Sequence, residues 1–394
     1  MVLIKNMNIA LIVYSNYSSD ARVRRYAEVL AEDGHLVDVI CLRENYIPKE
    51  KKIRLIQYPI RRIRRGISWY VIDYFMFFLY SFFILSINYF SKKYKIVHVN
   101  NMPDFLVFTA IVPKILGSKI ILDMHDPMPE LYMSKFHVND NNIFVRLLKI
   151  VEKTAFLFAD KVITANDVFR QLFLSRNDIT DNHISVILNC PDNNIFNNNF
   201  KRIIKDKYFN VIYMGTVDDR FRIDLTISTM PVLIKKIPNI RLVIIPKIEE
   251  EGIYFQNLKK SVTEKKLENF VIFKKPLPLE KIAEELKSAD IGIVLADNNV
   301  FTDKIFPVKL LEFIQMKIPI IATKTKLLGK YFTDKEIFFL PENSVDEFSK
   351  AVTALFNNPR LRGQLTTNAN KYLLVNNWRN EQVKYIKIVR NLIE

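Results

Sequence analysis

The chain of 394 residues carries 58 Lys and Arg against 42 Asp and Glu, a formal net charge of +16, with 49% apolar and 25% charged residues. That balance belongs to a packed protein of about two to three domains with sizeable cores, and excludes wholesale disorder. Eight glycines, with neither G-x-G-x-x-G nor G-x-x-x-x-G-K-[ST] among them, exclude glycine-rich nucleotide loops, and Cys41 and Cys190 alone exclude a disulfide scaffold or zinc knuckle.

The amino terminus reads as a first buried strand rather than a signal peptide, because its apolar run lacks a small-residue cleavage site. Short β-branched runs at 8–14, 36–42, 96–100, 119–124, 160–164 and 184–189 alternate with helical stretches, which predicts a parallel sheet covered on both faces. Within this half, Arg43 to Arg65 holds nine basic residues against Glu44 and Glu50. It leads into Ile67–Phe90, 24 residues whose only charge is Asp73. Length and hydropathy there permit a membrane span. A crossing would, however, separate the strand Lys95–Asn100 from the strands it must join. Two readings stay open. One is a largely buried helix of the first domain; the other is a helix that lays an aromatic face in a bilayer while the arginines meet anionic lipid, with Tyr70, Asp73, Tyr80, Ser81 and Asn88 on the less apolar side. No helix-turn-helix, zinc finger or stacking platform accompanies the charge, so no nucleic-acid partner is expected.

The strand-helix pattern stops in the polar, Asn-rich segment 191–207, which reads as a linker. It restarts at Val211-Ile-Tyr-Met, Arg241-Leu-Val-Ile-Ile, Phe270-Val-Ile-Phe, Ile291-Gly-Ile-Val-Leu and Ile318-Pro-Ile-Ile-Ala, a second doubly wound domain. The chain therefore divides into 1–190, the linker 191–207, a domain over 208–375 and a last amphipathic helix within 376–394 that opens at Trp378. Two such α/β sheets facing each other make a cleft, with ligands at the carboxyl ends of the strands.

The most informative segment is Phe301-Thr-Asp-Lys-Ile-Phe-Pro-Val-Lys-Leu-Leu-Glu-Phe-Ile-Gln-Met316. Pro307 suits the first position of a helix that ends near Met316. Lys309 and Glu312 then share one face near its start. Unpaired amides and the positive helix end, with the Lys309 charge added, make a seat for phosphate, and Glu312 could accept two hydrogen bonds from a ribose diol. The alternative is a surface helix with a Lys and a Glu at salt-bridge spacing.

Strand, loop, Pro-x-Lys-x-x-Glu helix and Ile-Pro-Ile-Ile-Ala strand together resemble the nucleotide-sugar signature of the retaining family 4 glycosyltransferases, which have the GT-B fold. Ser19-Asp-Ala-Arg-Val-Arg-Arg25 with Leu30–Val39, His98-Val-Asn-Asn-Met-Pro-Asp104, Ile121-Leu-Asp-Met-His-Asp126, Tyr213-Met-Gly-Thr-Val-Asp-Asp-Arg220 and Ala289–Val294 resemble further family segments in the same order. The resemblance implies an acceptor-side first domain and a donor-binding second domain, with the terminal helix packing back on the first. It implies that Lys309 and Arg220 hold the diphosphate and Glu312 the ribose, with Thr216, Phe306 and Leu310 lining the same site. His125 and Asp126 would face the transferring sugar, Asn101 and Asp104 would lie on the acceptor side, and His98 would be structural. Where the family often has an acid, this chain has Lys304; Asp303 is the neighbouring carboxylate that could substitute.

The implied activity is transfer of a sugar from a nucleotide-diphosphate sugar, a UDP-sugar ahead of a GDP-sugar, to a glycan or lipid-linked acceptor in cell-surface polysaccharide biosynthesis, with retention. No two aspartates are separated by a single residue, so no metal and no resident cofactor are expected. The chain is expected in the cytoplasm, peripheral on the inner face of the membrane through residues 43–90. The alternative is a catalytically weak, membrane-associated subunit that binds nucleotide sugar or serves as a scaffold.

Overall fold

Strands that read as unbroken Val, Ile and Leu runs bury both faces, which a parallel sheet achieves when its crossover helices lie above and below it. The structure, a computed structural model, describes residues 6–60, 66–196, 207–247 and 252–394. It divides into Met1–Asn189 with Arg379–Glu394, and Cys190–Trp378. Of the segment expected as a linker, 197–206 lies outside the described residues, as does the basic run Arg61–Arg65.

The first unit has seven strands: β1 Asn8–Ile12, β2 Leu36–Cys41, β3 Ile53–Gln57, β4 Ile96–Asn100, β5 Lys119–Met124, β6 Lys161–Thr164 and β7 Ile184–Val186. They form one sheet in the order β3-β2-β1-β4-β5-β6-β7, parallel throughout. Register pairs Leu11 with His98 and Asn100 with Asp123. The carboxyl ends of β4 and β5 therefore stand side by side, bringing residues 100–104 to residues 123–126.

The strand β3 was not expected. It sits in the basic segment, where Arg54 and Gln57 interrupt the apolar run, and its Arg54 pairs with Asp38 on β2 (Nη2–Oδ2 2.6 Å). The strand expected over 184–189 ends at Val186, because the Leu188 amide turns away to the Glu381 carboxylate (2.9 Å).

The apolar segment is one helix, Gly66–Lys92, and since β3 and β4 belong to one sheet it is a crossover of this unit. Asp73, Phe77, Ser81 and Leu85, four residues apart, are its buried stripe. The Tyr14 hydroxyl donates to Asp73 Oδ2 (2.9 Å) and the Tyr80 hydroxyl to the Gln57 carbonyl (2.9 Å). The reading of a largely buried helix is corrected here: 22% of its most apolar stretch is buried. Val71, Phe75, Phe83, Ile87 and Phe90 are exposed.

The last helix, Trp378–Asn391, packs back on this first unit as expected. Tyr385 is fully buried against the Tyr26 ring (4.2 Å between centroids), its hydroxyl meets His98 Nδ1 (2.8 Å), and Arg390 Nη2 reaches Asp33 Oδ1 (2.6 Å). Burial pushes the His98 imidazole down to about 4, so it is a neutral structural residue.

The second unit has β8 Phe209–Gly215, β9 Ile240–Pro246, β10 Val271–Phe273, β11 Ile291–Val294, β12 Ile320–Thr323 and β13 Phe338–Leu340. Their order is β10-β9-β8-β11-β12-β13, parallel again. The three-residue β13 was not expected. Val211, Tyr213, Leu242, Ile244, Ile291 and Ile293 join residues of the flanking helices in one apolar core. Gly292 lets the helix Val308–Gln315 lie close on β11: a Cβ there would stand 2.6 Å from the Phe313 ring.

Candidate active site

In the second unit the helix Val308–Gln315 begins after Pro307, the residue at its cap rather than its first turn. No side chain caps this end, which leaves first-turn amide hydrogens available to a ligand. Lys309 crosses from it to the end of β8, where Gly215, at φ +120°, has no Cβ to obstruct the ammonium 3.8 Å from that position. Lys309 Nζ lies 3.9 Å from the centroid of the Tyr213 ring and 5.0 Å from that of Phe221. Among the described residues it has neither a hydrogen bond nor an ion pair within bonding distance. Burial pushes its pKa down to about 7, against the pull of the Glu312 carboxylate. A cation resting on two aromatic faces, largely desolvated, is an incomplete anion site.

Arg220 stands against the same Phe221 ring (5.6 Å). Asp218 holds its guanidinium through Nε (2.6 Å) and Nη2 (3.0 Å), while the buried Nη1 has no partner among the described residues. Thr216 is exposed beside them, and its carbonyl accepts from the Tyr213 hydroxyl. Glu312 is buried one turn beyond Lys309.

Other expected donor residues have different surroundings. Leu310 is wholly buried in the core. Phe306 stacks on Tyr372 (5.8 Å, 23°) and packs against Phe332, so its ring belongs to an aromatic cluster and only its backbone is left for a ligand. Asp303 accepts from the Lys326 amide (3.1 Å) and faces the Lys326 ammonium (3.5 Å). Its carboxylate is thus committed to the start of the next helix rather than free to replace the acid absent at Lys304.

In the first unit, β5 ends in Asp123 and Met124 with His125 directly after it, and the chain beyond the strand brings the His125 ring back to Asp123. His125 Nε2 meets Asp123 Oδ2 at 3.1 Å. Asp123 is fully buried and bonded by Arg22 through Nε (2.7 Å) and Nη2 (2.9 Å). Burial works against its charge, but Arg22 and His125 hold the carboxyl well below the usual carboxylate range. The imidazole is thereby oriented by an ionised partner, with part of its surface exposed. Asp126 is half-buried next to it.

Asn101 and Asp104, expected on the acceptor side, are buried and bonded to protein. Sequence reasoning missed Asp123 as the partner of His125 and Asp218 as the partner of Arg220. The i, i+2 spacing at the end of a strand and in the turn after β8 was the available signal. Among the described residues no group of three or more His, Cys, Asp or Glu is placed to hold a metal ion.

Two family models adjoin along the chain: Glycosyltransferase Family 4 over residues 21–194, and Glycosyl transferases group 1 over residues 194–372. No curated protein matches it in sequence. Among solved structures, sucrose-phosphate synthase from Thermosynechococcus elongatus is 17% identical, with a TM-score of 0.76 over 98% of this chain and 99% of that one. Anabaena Alr3699/HepE in complex with UDP and glucose is 13% identical, with a TM-score of 0.71 over 98% and 100%. WaaG, a glycosyltransferase involved in lipopolysaccharide biosynthesis, is 15% identical, with a TM-score of 0.71 over 96% and 99%. These likenesses give the fold, GT-B, along nearly the whole length. With the two family models adjoining across 21–372, the chain belongs to the family 4, group 1 glycosyltransferases and is a glycosyltransferase enzyme.

Proposed function

We propose that this enzyme moves a sugar from a nucleotide-diphosphate sugar, a UDP-sugar ahead of a GDP-sugar, onto a glycan or lipid-linked acceptor in cell-surface polysaccharide synthesis. The observation that carries the reading is Lys309, an ammonium on two aromatic rings that has no salt-bridge partner among the described residues, at an uncapped helix start. As the glycosidic bond breaks, negative charge grows on the departing diphosphate. Charge already in place and poorly solvated stabilises that state strongly. Lys309, Arg220 and the amides of the helix start supply it from the chain itself, without a metal. Glu312 takes the ribose hydroxyls, and Thr216 with the backbone at Phe306 completes the donor site.

His125, oriented by Asp123, faces the sugar, with Asp126 beside it. Retention follows from front-face attack, in which the departing phosphate oxygen takes the acceptor's proton. HepE, solved with UDP and glucose, supports the uridine donor, and WaaG, involved in lipopolysaccharide biosynthesis, supports a cell-surface glycan.

The exposed apolar side of the helix Gly66–Lys92, where Ile87 is 66% and Phe90 70% accessible, supports peripheral contact with anionic lipid. On this reading the enzyme works in the cytoplasm, peripheral on the inner face of the membrane. The exposed Ile143, Phe144, Leu147 and Ile150 on the helix Ile143–Phe158 of the same unit add to the apolar surface.

A thermal-shift panel of uridine, guanosine and adenosine diphosphates and their sugars tests the donor reading, since a ligand that binds only the folded state raises its melting point. UDP and a UDP-sugar should give the largest rise. No rise with any nucleoside diphosphate would refute it.

A further inference from the structure

Asn101 is the first residue after β4, and its main-chain amide and both side-chain polar atoms bond the segment Asp123–Asp126 that carries His125. Its amide donates to the Asp123 carbonyl (3.0 Å). Its side-chain oxygen accepts from the His125 amide (2.7 Å). Its side-chain nitrogen donates both to the Asp126 carbonyl (2.9 Å) and to Asp104 Oδ1 (2.9 Å). The acceptor and two donor contacts also fix which end of the amide is oxygen, since a flipped Asn101 would set nitrogen against the His125 amide and oxygen against two oxygens.

Asp104, at the start of the 3-10 turn Asp104–Ala110, is buried, and its Oδ2 has no hydrogen-bond partner among the described residues. Burial, with Glu152 adding to it, pushes its carboxyl up to about 7 despite the Asn101 hydrogen bond. The group accepts at Oδ1 and anchors Asn101 from behind. With exposures of 4% and 3%, Asn101 and Asp104 present nothing to an acceptor.

We infer that Asn101 is a positioning residue: held by Asp104, it fixes the main chain of Asp123–Asp126 and thereby sets where the His125 imidazole stands during sugar transfer. The imidazole is constrained twice, through its ring by Asp123 and through its backbone by Asn101. Small displacements of a positioned group cost rate more than they cost substrate binding. This inference rests on the role given above to His125.

The test is a double-mutant cycle of Asn101→Ala and His125→Ala, reading kcat and donor KM for transfer. Asn101→Ala should lower kcat by about 10- to 100-fold with donor KM changed less than about twofold, and should add less than about twofold in the His125→Ala background. Should Asn101→Ala fail to fold, the isosteric Asn101→Asp keeps an acceptor for the His125 amide but turns an oxygen toward Asp104 and the Asp126 carbonyl. It should lose kcat in the same non-additive way. Additive losses would overturn the inference by showing that Asn101 acts independently of His125, and an unchanged kcat in either Asn101 variant would overturn it outright. If His125→Ala alone leaves transfer intact, the reading of His125 fails with it, whereas a large His125→Ala loss with no Asn101 effect sinks the positioning role alone.

Discussion

Lys309 illustrates how a single side chain can be costly to the free enzyme and useful to the bound one. Its ammonium, normally near 10.5, is pushed down to about 7 by burial. Its folded value lies below its unfolded one, so this group destabilises the ligand-free fold at low pH, and the penalty fades as pH rises from about 7 toward 10.5. A diphosphate beside it restores the charge, which requires a proton once the free enzyme has lost it. The expected outcome is nucleotide affinity that is flat below about pH 7 and weakens by up to about tenfold per pH unit above it. Titration calorimetry across pH 6–9 checks this, and Lys309→Arg should abolish the slope because a guanidinium stays charged.

That Lys309 and Glu312 share one face near the start of a helix was readable from Pro-x-Lys-x-x-Glu, since three-residue spacing puts two side chains on one side. The i, i+2 spacing was the one signal for the clasp of Asp218 on Arg220, whereas the diversion of Asp303 to Lys326 and the four-point hold of Asn101 depend on which backbone groups a loop presents and leave no periodic trace in sequence.

At the scale of elements, the strands that position the site were legible because their apolar runs are continuous, with β1, β2, β4, β5 and β6 within a residue or two of expectation. β3 and β13 were missed, one hidden among basic residues and the other only three residues long. The contact that seats the donor helix was also invisible, because a glycine in a strand says nothing about what lies over it. Gly292→Ala would put a methyl 2.6 Å from the Phe313 ring. Overpacking of this kind costs about 1–3 kcal/mol, and the displaced helix carries Lys309 with it. The variant should therefore melt several degrees lower and bind nucleotide more weakly, whereas an unchanged melting point and affinity would show that the helix is seated by other contacts.

For the molecule as a whole, the proposed membrane contact would combine two weak forces, a net charge of +16 and an apolar helix face on the first unit. Electrostatic attraction is screened by salt, and apolar insertion is not. Co-sedimentation with anionic vesicles should be strong at low salt and fall as salt rises, and Phe83→Ser with Ile87→Ser and Phe90→Ser should reduce it without altering turnover of soluble donor. Equal wild-type binding to neutral and anionic vesicles would remove the electrostatic part of the account, and binding to neither would remove the lipid contact.

Donor turnover tests the enzyme's chemistry directly, separately from lipid. The most direct measurement is UDP release from UDP-sugars by the wild type and by Lys309→Ala, each with folding verified. The cationic seat predicts measurable release by the wild type and a fall of at least about 100-fold in the variant, as for loss of a charge-stabilising donor; equal rates in the two proteins would contradict it.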